Sequence, residues 1–290
     1  MNKVGALLRL TRIEHSAMLV IAVIAAEIIT KSLPVPSILA ASLITPIFIS
    51  MASFAINDYY DVKSDTLNKR FDRPIVSGAI SRNGALYISL TSFAIGVLAS
   101  VIINEAALLI AVLFGVLAFL YSYRMKDIAL LGNAYIAFSM VIPFIYGDFV
   151  VSGSLNASIV VISLVIFFSG LAREIHGMIR DYEGDIKARN SRNMVFYTGK
   201  KAAALSAFVL YVLAIALSLF LFFYQRPFSY NLAYLIPILA VDAVLLYISV
   251  RVMLNTGSKR LMRLARNLSL GAMALALITY LFSAVVYFAI

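Results

Sequence analysis

The chain reads as all-α, a polytopic membrane protein with nine transmembrane helices. Three observations carry that reading. The 290 residues are 62% hydrophobic and 13% charged, with a mean hydropathy of +0.96, far from a soluble globular composition. The polar residues are bunched between apolar runs instead of forming a coat. Those runs are continuous and near the roughly 20 residues that a helix needs to cross the hydrocarbon core. A membrane barrel would instead alternate over segments of about ten residues.

The spans are expected at 16–31, 37–58, 85–103, 106–123, 129–148, 157–178, 202–224, 232–253 and 267–289. Pro34 and Pro36 break the chain between the first two. Asn104-Glu105 makes a short hairpin between the third and fourth, and residues 147–156 join the fifth to the sixth. Gln225-Arg226-Pro227 closes the seventh. The N-terminus lacks a convincing signal-peptide cleavage pattern, so the whole chain, 1–290, is read as one mature domain. The absence of Cys removes a disulfide framework and a thiolate metal site.

Charge sets the expected orientation. Of 24 Lys and Arg residues, all but Lys31 and Arg226 fall on one side of the nine spans. Basic residues mark cytoplasmic loops, so the N-terminus is expected in the cytoplasm and the C-terminus outside. A miscounted span would scramble this split. The net charge of +10 then means loops facing anionic lipid. No nucleic-acid motif is present, so no nucleic-acid partner is expected. Nor does any segment imply an obligatory protein partner.

Two acidic stretches follow directly on apolar runs. The first reads N-D-Y-Y-D-V-K-S-D at 57–65 and the second R-D-Y-E-G-D at 180–185, each containing D-x-x-x-D. They lie after the second and sixth spans, which is compatible with two four-helix units and a ninth helix. Asn57, Asp61 and Asp65 are at i, i+4 and i+8, one face of a helix if the second span continues past the membrane surface, with Asp58 beside that face. Asp181 and Asp185 repeat the spacing. Acidic residues contribute little to topology, so topology does not explain the ten of 14 acids on this side. Carboxylates held at a membrane helix end are costly without a ligand. An all-oxygen donor set suits Mg²⁺ or Ca²⁺ and ranks poorly for zinc. Mg²⁺ takes one or two carboxylates and completes its shell with water and phosphate oxygens.

The rest of the pattern fits a phosphorylated amphiphile. Lys69, Arg70, Arg73, Lys126, Arg173 and Arg180 lie on the same side, where they can pair the oxygens of a diphosphate. His176, about a turn before Asp181, is placed to line the mouth; His15 begins the first span. Tyr59, Tyr60, Tyr121, Tyr123, Phe138, Tyr146 and Phe168 are candidates to line an apolar cavity for a hydrocarbon tail and to face a developing carbocation. For any single Lys, Arg or aromatic, a solvated loop or lipid-facing position is the commoner outcome. Glu27 and Asp242 fall inside spans. Asp242 is expected to be neutral or paired with Arg251, and Glu27 to lie near the external end.

These residues closely resemble the UbiA family of intramembrane prenyltransferases. The stretch 57–65, followed by N-K-R-F-D-R-P-I-V-S-G-A-I-S at 68–81, is similar to the first family signature. The stretch 180–185 is similar to the second, and Y-S-Y-R-M-K at 121–126 with Gly132-Asn133 to the segment between the fourth and fifth helices. The resemblance implies a nine-helix bundle with a central cavity under a cytoplasmic cap, and Mg²⁺-dependent transfer of a prenyl group from a prenyl diphosphate to a lipophilic acceptor. It implies Asn57, Asp61, Asp65, Asp181 and Asp185 as holders of Mg²⁺ and diphosphate. Arg70, Arg73 and Lys126 would meet the diphosphate, Asp58 would assist, and Arg12 would orient the acceptor. Arg173-Glu174-Ile175 and Glu183-Gly184-Asp185 resemble the archaeal ether-lipid branch, which adds geranylgeranyl to geranylgeranylglyceryl phosphate. His176-Gly177-Met178 and Asn193-Met194-Val195 depart from that pattern. An aromatic acceptor, as in quinone biosynthesis, therefore stays open. A cation-coupled transporter is the competing class, motivated by Glu27 and Asp242, but it needs ligands near the midplane, whereas these acids crowd one surface.

Overall fold

The computed structural model describes residues 3–30, 33–128, 130–189 and 193–289, the side chains of 183–189 excepted. Every described element is helical. The helices are α1 (Lys3–Thr11), α2 (Ile13–Thr30), α3 (Pro36–Leu67), α4 (Arg82–Val101), α5 (Glu105–Tyr123), α6 (Leu131–Ser152), α7 (Ala157–Arg189), α8 (Met194–Tyr224), α9 (Leu232–Leu254) and α10 (Lys259–Ala289). A 3₁₀ turn, Met125–Asp127, joins α5 to α6. Nine of the described helices, α2 to α10, are long and apolar enough to cross a membrane.

Local chemistry places the ends. Pro36 opens α3, where its missing N–H costs nothing. Ser81, Asn104, Asn193 and Asn231 cap α4, α5, α8 and α9 by accepting from backbone N–H groups of the first turn. The helices outrun the expected spans. α3 continues to Leu67 instead of 58, α7 to Arg189 instead of 178, and α8 and α10 begin eight residues earlier. Hydropathy marks only the lipid-buried length, whereas backbone hydrogen bonding carries a helix on into water. A further helix, α1, precedes the bundle, and Arg12 at φ 46 breaks it from α2.

Many interior positions carry Ala, Ser or Thr, as expected where lipid tails remove any hydrophobic drive between helices and small residues let backbones approach. Gly147 of α6 lies so close to α2 that an added Cβ would stand 2.7 Å from the Val23 carbonyl oxygen. The Ser89 hydroxyl donates to the Ala52 carbonyl at 2.8 Å and Thr45 to Gly96 at 3.1 Å, tying α3 to α4. One large core joins α2 and α6 to α10. A small one, Leu10, Ala55 and Ala85, underlies the loop of residues 68–81 and seats α1 and that loop against the charged end of α3.

Candidate active site

The long outward run of α3 decides the site. Asn57, Asp61 and Asp65 share one face of it. The Asn57 amide donates to Asp61 Oδ2 at 3.0 Å. Lys126, carried in by the 3₁₀ turn, places Nζ 2.6 Å from Asp61 Oδ1. Asp65 Oδ2 lies 3.6 Å from Arg73 Nε.

Asp58 is turned about 100° away from that face and is 2% exposed. Its Oδ1 accepts from Arg12 at 3.0 Å and from Arg73 at 2.9 Å. Expected as a helper beside the acidic face, it is the point where two arginines from distant segments are tied together. The Arg12 guanidinium also lies 4.6 Å over the Phe54 ring. Burial, with the positive charge of Arg73 beside it, holds Arg12 below its ordinary pKa, while Asp58 pulls it back up. Arg70 turns elsewhere, into an exposed bidentate pair with Asp72 at 3.1 Å. That pair raises Arg70 and lowers Asp72.

On α7, Arg180 grips Asp181 bidentately at 2.8 and 2.6 Å. Arg173 meets Glu174 at 3.4 Å, and Glu174 also accepts from Asn133 at 3.4 Å. The Asp185 side chain lies outside the described residues. Among the described residues no three His, Asp or Glu side chains close on a common point.

A cavity of about 690 Å³ opens between these helices. Arg12, His15, Asn57 and Arg173 line its mouth, and Tyr146, Asp242 and Tyr280 lie among its deeper residues. Asn57 and Arg173 mark where α3 and α7 leave that mouth, each helix continuing from there into its acidic stretch.

The aromatic lining differs from expectation. Tyr121 and Tyr146 face the cavity, whereas Tyr59, Tyr60, Tyr123, Phe138 and Phe168 do not. Tyr123 is exposed and packs on Tyr60, with ring centroids 5.7 Å apart. Two residues past Tyr121 the helix has turned about 200°. Tyr135, which no sequence signal marked, stacks on Tyr121 at 4.7 Å and on Phe114 at 5.6 Å, and all three rings line the cavity. His176 is buried against Tyr211 and faces a second, polar pocket instead of the apolar cavity. Asp242 does not pair with Arg251; it accepts from the Ser218 hydroxyl at 2.6 Å, and Arg251 lies by the Tyr247 ring. Nine positions along a helix are two and a half turns, which puts Arg251 well above Asp242. Glu27 is fully buried within α2.

The donors on α3 and α7 fit Mg²⁺. Asn57, Asp61, Asp65 and Asp181 offer oxygen alone, and Asp61 already holds a cation in the Lys126 ammonium.

Fold and site together define an intramembrane enzyme for an amphiphilic substrate: an apolar cavity under a mouth of carboxylates, arginines and lysine. The chain belongs to the UbiA prenyltransferase family, whose family model matches residues 18–271. It is similar to the digeranylgeranylglyceryl phosphate synthase of Archaeoglobus fulgidus, at 33% identity over 237 residues, 82% of this chain and 80% of the relative. A structure solved for digeranylgeranylglyceryl phosphate synthase in membranes matches with a TM-score of 0.82 and 26% identity, covering 98% of this chain and 99% of that one. A UbiA homolog from Archaeoglobus fulgidus bound to GPP and Mg²⁺ shares the fold, with a TM-score of 0.64 at 20% identity over 95% of this chain and 99% of its own.

Proposed function

We propose that this prenyltransferase moves a geranylgeranyl group from its diphosphate to geranylgeranylglyceryl phosphate, with Mg²⁺ and at the cytoplasmic surface. The observation that carries the reading is the shared mouth. Asn57 and Arg173 border one apolar cavity, and both helices leave it as acidic stretches. The distribution of Lys and Arg supports the cytoplasmic orientation. The named relatives support the acceptor.

Asn57, Asp61 and Asp65 on one side, and Asp181 with Asp185 on the other, would hold Mg²⁺, with substrate phosphate and water completing the shell. The metal ion would offset charge on the departing diphosphate. Arg73 and Lys126 would shift from their carboxylates onto phosphate oxygens, since both are held near the acids that the metal takes over. The allylic carbon–oxygen bond breaks and leaves a cation, which the Tyr121 and Tyr135 ring faces would stabilise. The acceptor hydroxyl then forms the new carbon–oxygen bond and releases its proton. The apolar walls keep water from taking that place.

The test is to offer the purified protein labelled geranylgeranyl diphosphate with Mg²⁺ and a panel of acceptors. Transfer to the glyceryl phosphate ether is expected. Transfer only to a hydroxybenzoate or naphthoate would overturn the acceptor, and solute flux with no chemical change would overturn the enzyme.

A further inference from the structure

A second pocket, of about 310 Å³, lies on the α10 side of α7. It is built from Asn133 of α6, from Arg173 to Asp181 of α7, and from Met262, Arg266 and Ser269 of α10. None of the α3 acids borders it, and neither do Lys126 or Arg73; of the described donor-site residues proposed above, only Asp181 does. It differs in kind from the main cavity, being walled by charged and polar groups. The two pockets meet at Arg173, which lines both.

Its charge is unbalanced toward anion binding. Glu174 is held by Arg173 and Asp181 by Arg180. Arg266 brings a further positive charge and is in no ion pair with a described residue. Two nitrogens of the wall are also unsatisfied. Arg173 Nε and His176 Nε2 are buried without a hydrogen-bond partner among the described residues, and His176 is 6% exposed. Arg173 Nε can only donate, so it costs free energy until an acceptor meets it, and the His176 ring can present Nε2 as an N–H to the same acceptor. A tetrahedral anion supplies several acceptor oxygens at once.

We propose that this pocket seats the phosphomonoester of the acceptor, with Arg266 as its anchor. The inference rests on the glyceryl phosphate acceptor proposed above. An acceptor whose phosphate lies here has its glyceryl hydroxyl near Arg173, where the polar pocket joins the cavity that would hold the prenyl donor. The donor diphosphate, gripped between α3 and α7, would lie next to it, since Asp181 borders this pocket on one side and Arg266 lies across on α10. The enzyme therefore reads two anions at two places, which separates acceptor from donor by head group although both carry the same tail.

The experiment is steady-state kinetics of the purified full-length protein as wild type, R266A and R266K. Arg266 is exposed on α10, so neither change leaves a buried void. R266A should raise the KM for the glyceryl phosphate acceptor about tenfold or more, R266K should recover part of the loss, and the donor KM should move less than twofold. Inorganic phosphate should compete with the acceptor, and pyrophosphate with the donor. An equal rise in both KM values would assign the pocket to the donor diphosphate and overturn the proposal. So would an unchanged acceptor KM, or an equal loss with a phosphate-free glyceryl ether. If the wild type does not turn over the glyceryl phosphate acceptor at all, the acceptor reading fails instead. Calorimetric binding of glycerol phosphate then judges the pocket alone: binding that R266A weakens tenfold upholds a phosphate seat, and binding that R266A leaves unchanged removes it.

Discussion

Lys126 and Asp61 stand 65 positions apart in the chain, yet the ammonium lies 2.6 Å from the carboxylate oxygen. A lysine carried by a three-residue turn thus holds the acid at the centre of the first acidic face, and Asn57 holds its other oxygen. A divalent cation arriving with a diphosphate would take Asp61 and release Lys126 toward the phosphate. Such an exchange would keep Asp61 paired with a cation before and after binding.

Asp61→Ala and Asp181→Ala should each lower turnover by more than about 100-fold, since electrostatic stabilisation of a leaving group is worth several kcal/mol. Removing divalent metal with a chelator should stop prenyl diphosphate consumption, and Mg²⁺ should restore it. Lys126→Ala should mainly raise the KM for the prenyl diphosphate. Release of labelled diphosphate, followed against Mg²⁺ concentration, checks all of these. Full activity in either Asp variant would remove the metal assignment.

Asp58→Ala should act on stability as well as on rate. It removes the one oxygen, on a side chain only 2% exposed, on which the Arg12 and Arg73 guanidinium groups converge, leaving Arg73 the 3.6 Å contact with Asp65 and Arg12 no carboxylate partner among the described residues. Breaking a pair of this kind costs about 3 kcal/mol, less here because both arginines keep some contact with water. A lower thermal midpoint in detergent is the readout. A double-mutant cycle with Arg12→Ala should return a coupling of about 1–2 kcal/mol.

Filling the apolar cavity should change which tail it accepts. Ala118 and Ala111 line the wall from α5 and carry almost no bulk. Ala118→Phe should lower kcat/KM for geranylgeranyl diphosphate about tenfold or more while sparing geranyl diphosphate, because overpacking costs roughly 1–3 kcal/mol. Competition between the two donors in one reaction, read by product mass, gives the ratio directly. An unchanged ratio would place the donor tail elsewhere.

The acid within α9 calls for a structural test. Asp242 accepts from Ser218 at 2.6 Å, and the Tyr234 hydroxyl donates to the Ser218 carbonyl at 2.9 Å, so the group ties α8 to α9. Asp242→Asn should keep that bond and most of the activity. Asp242→Leu should break the tie between the helices, leaving the Ser218 hydroxyl only the Ile215 carbonyl at 2.8 Å, and lower stability by about 1 kcal/mol. Thermal unfolding of the two variants side by side decides it; a larger loss of turnover than of stability in Asp242→Asn would point to a role in the reaction.

The sequence by itself determined the nine long apolar helices, the acidic faces at i and i+4, and the family signatures around them. All of these depend on neighbours within one helix, and helical periodicity makes such neighbours readable. Tertiary structure alone decided that Arg12 and Arg73 meet on Asp58, that Tyr135 rather than Tyr123 joins the cavity wall, and that Arg266 borders a polar pocket with Arg173. The physical reason is that the partner across an interface depends on how each helix is rotated and how far it slides against the next. In a chain this uniformly apolar, lipid-facing and cavity-facing residues look alike until the helices are packed.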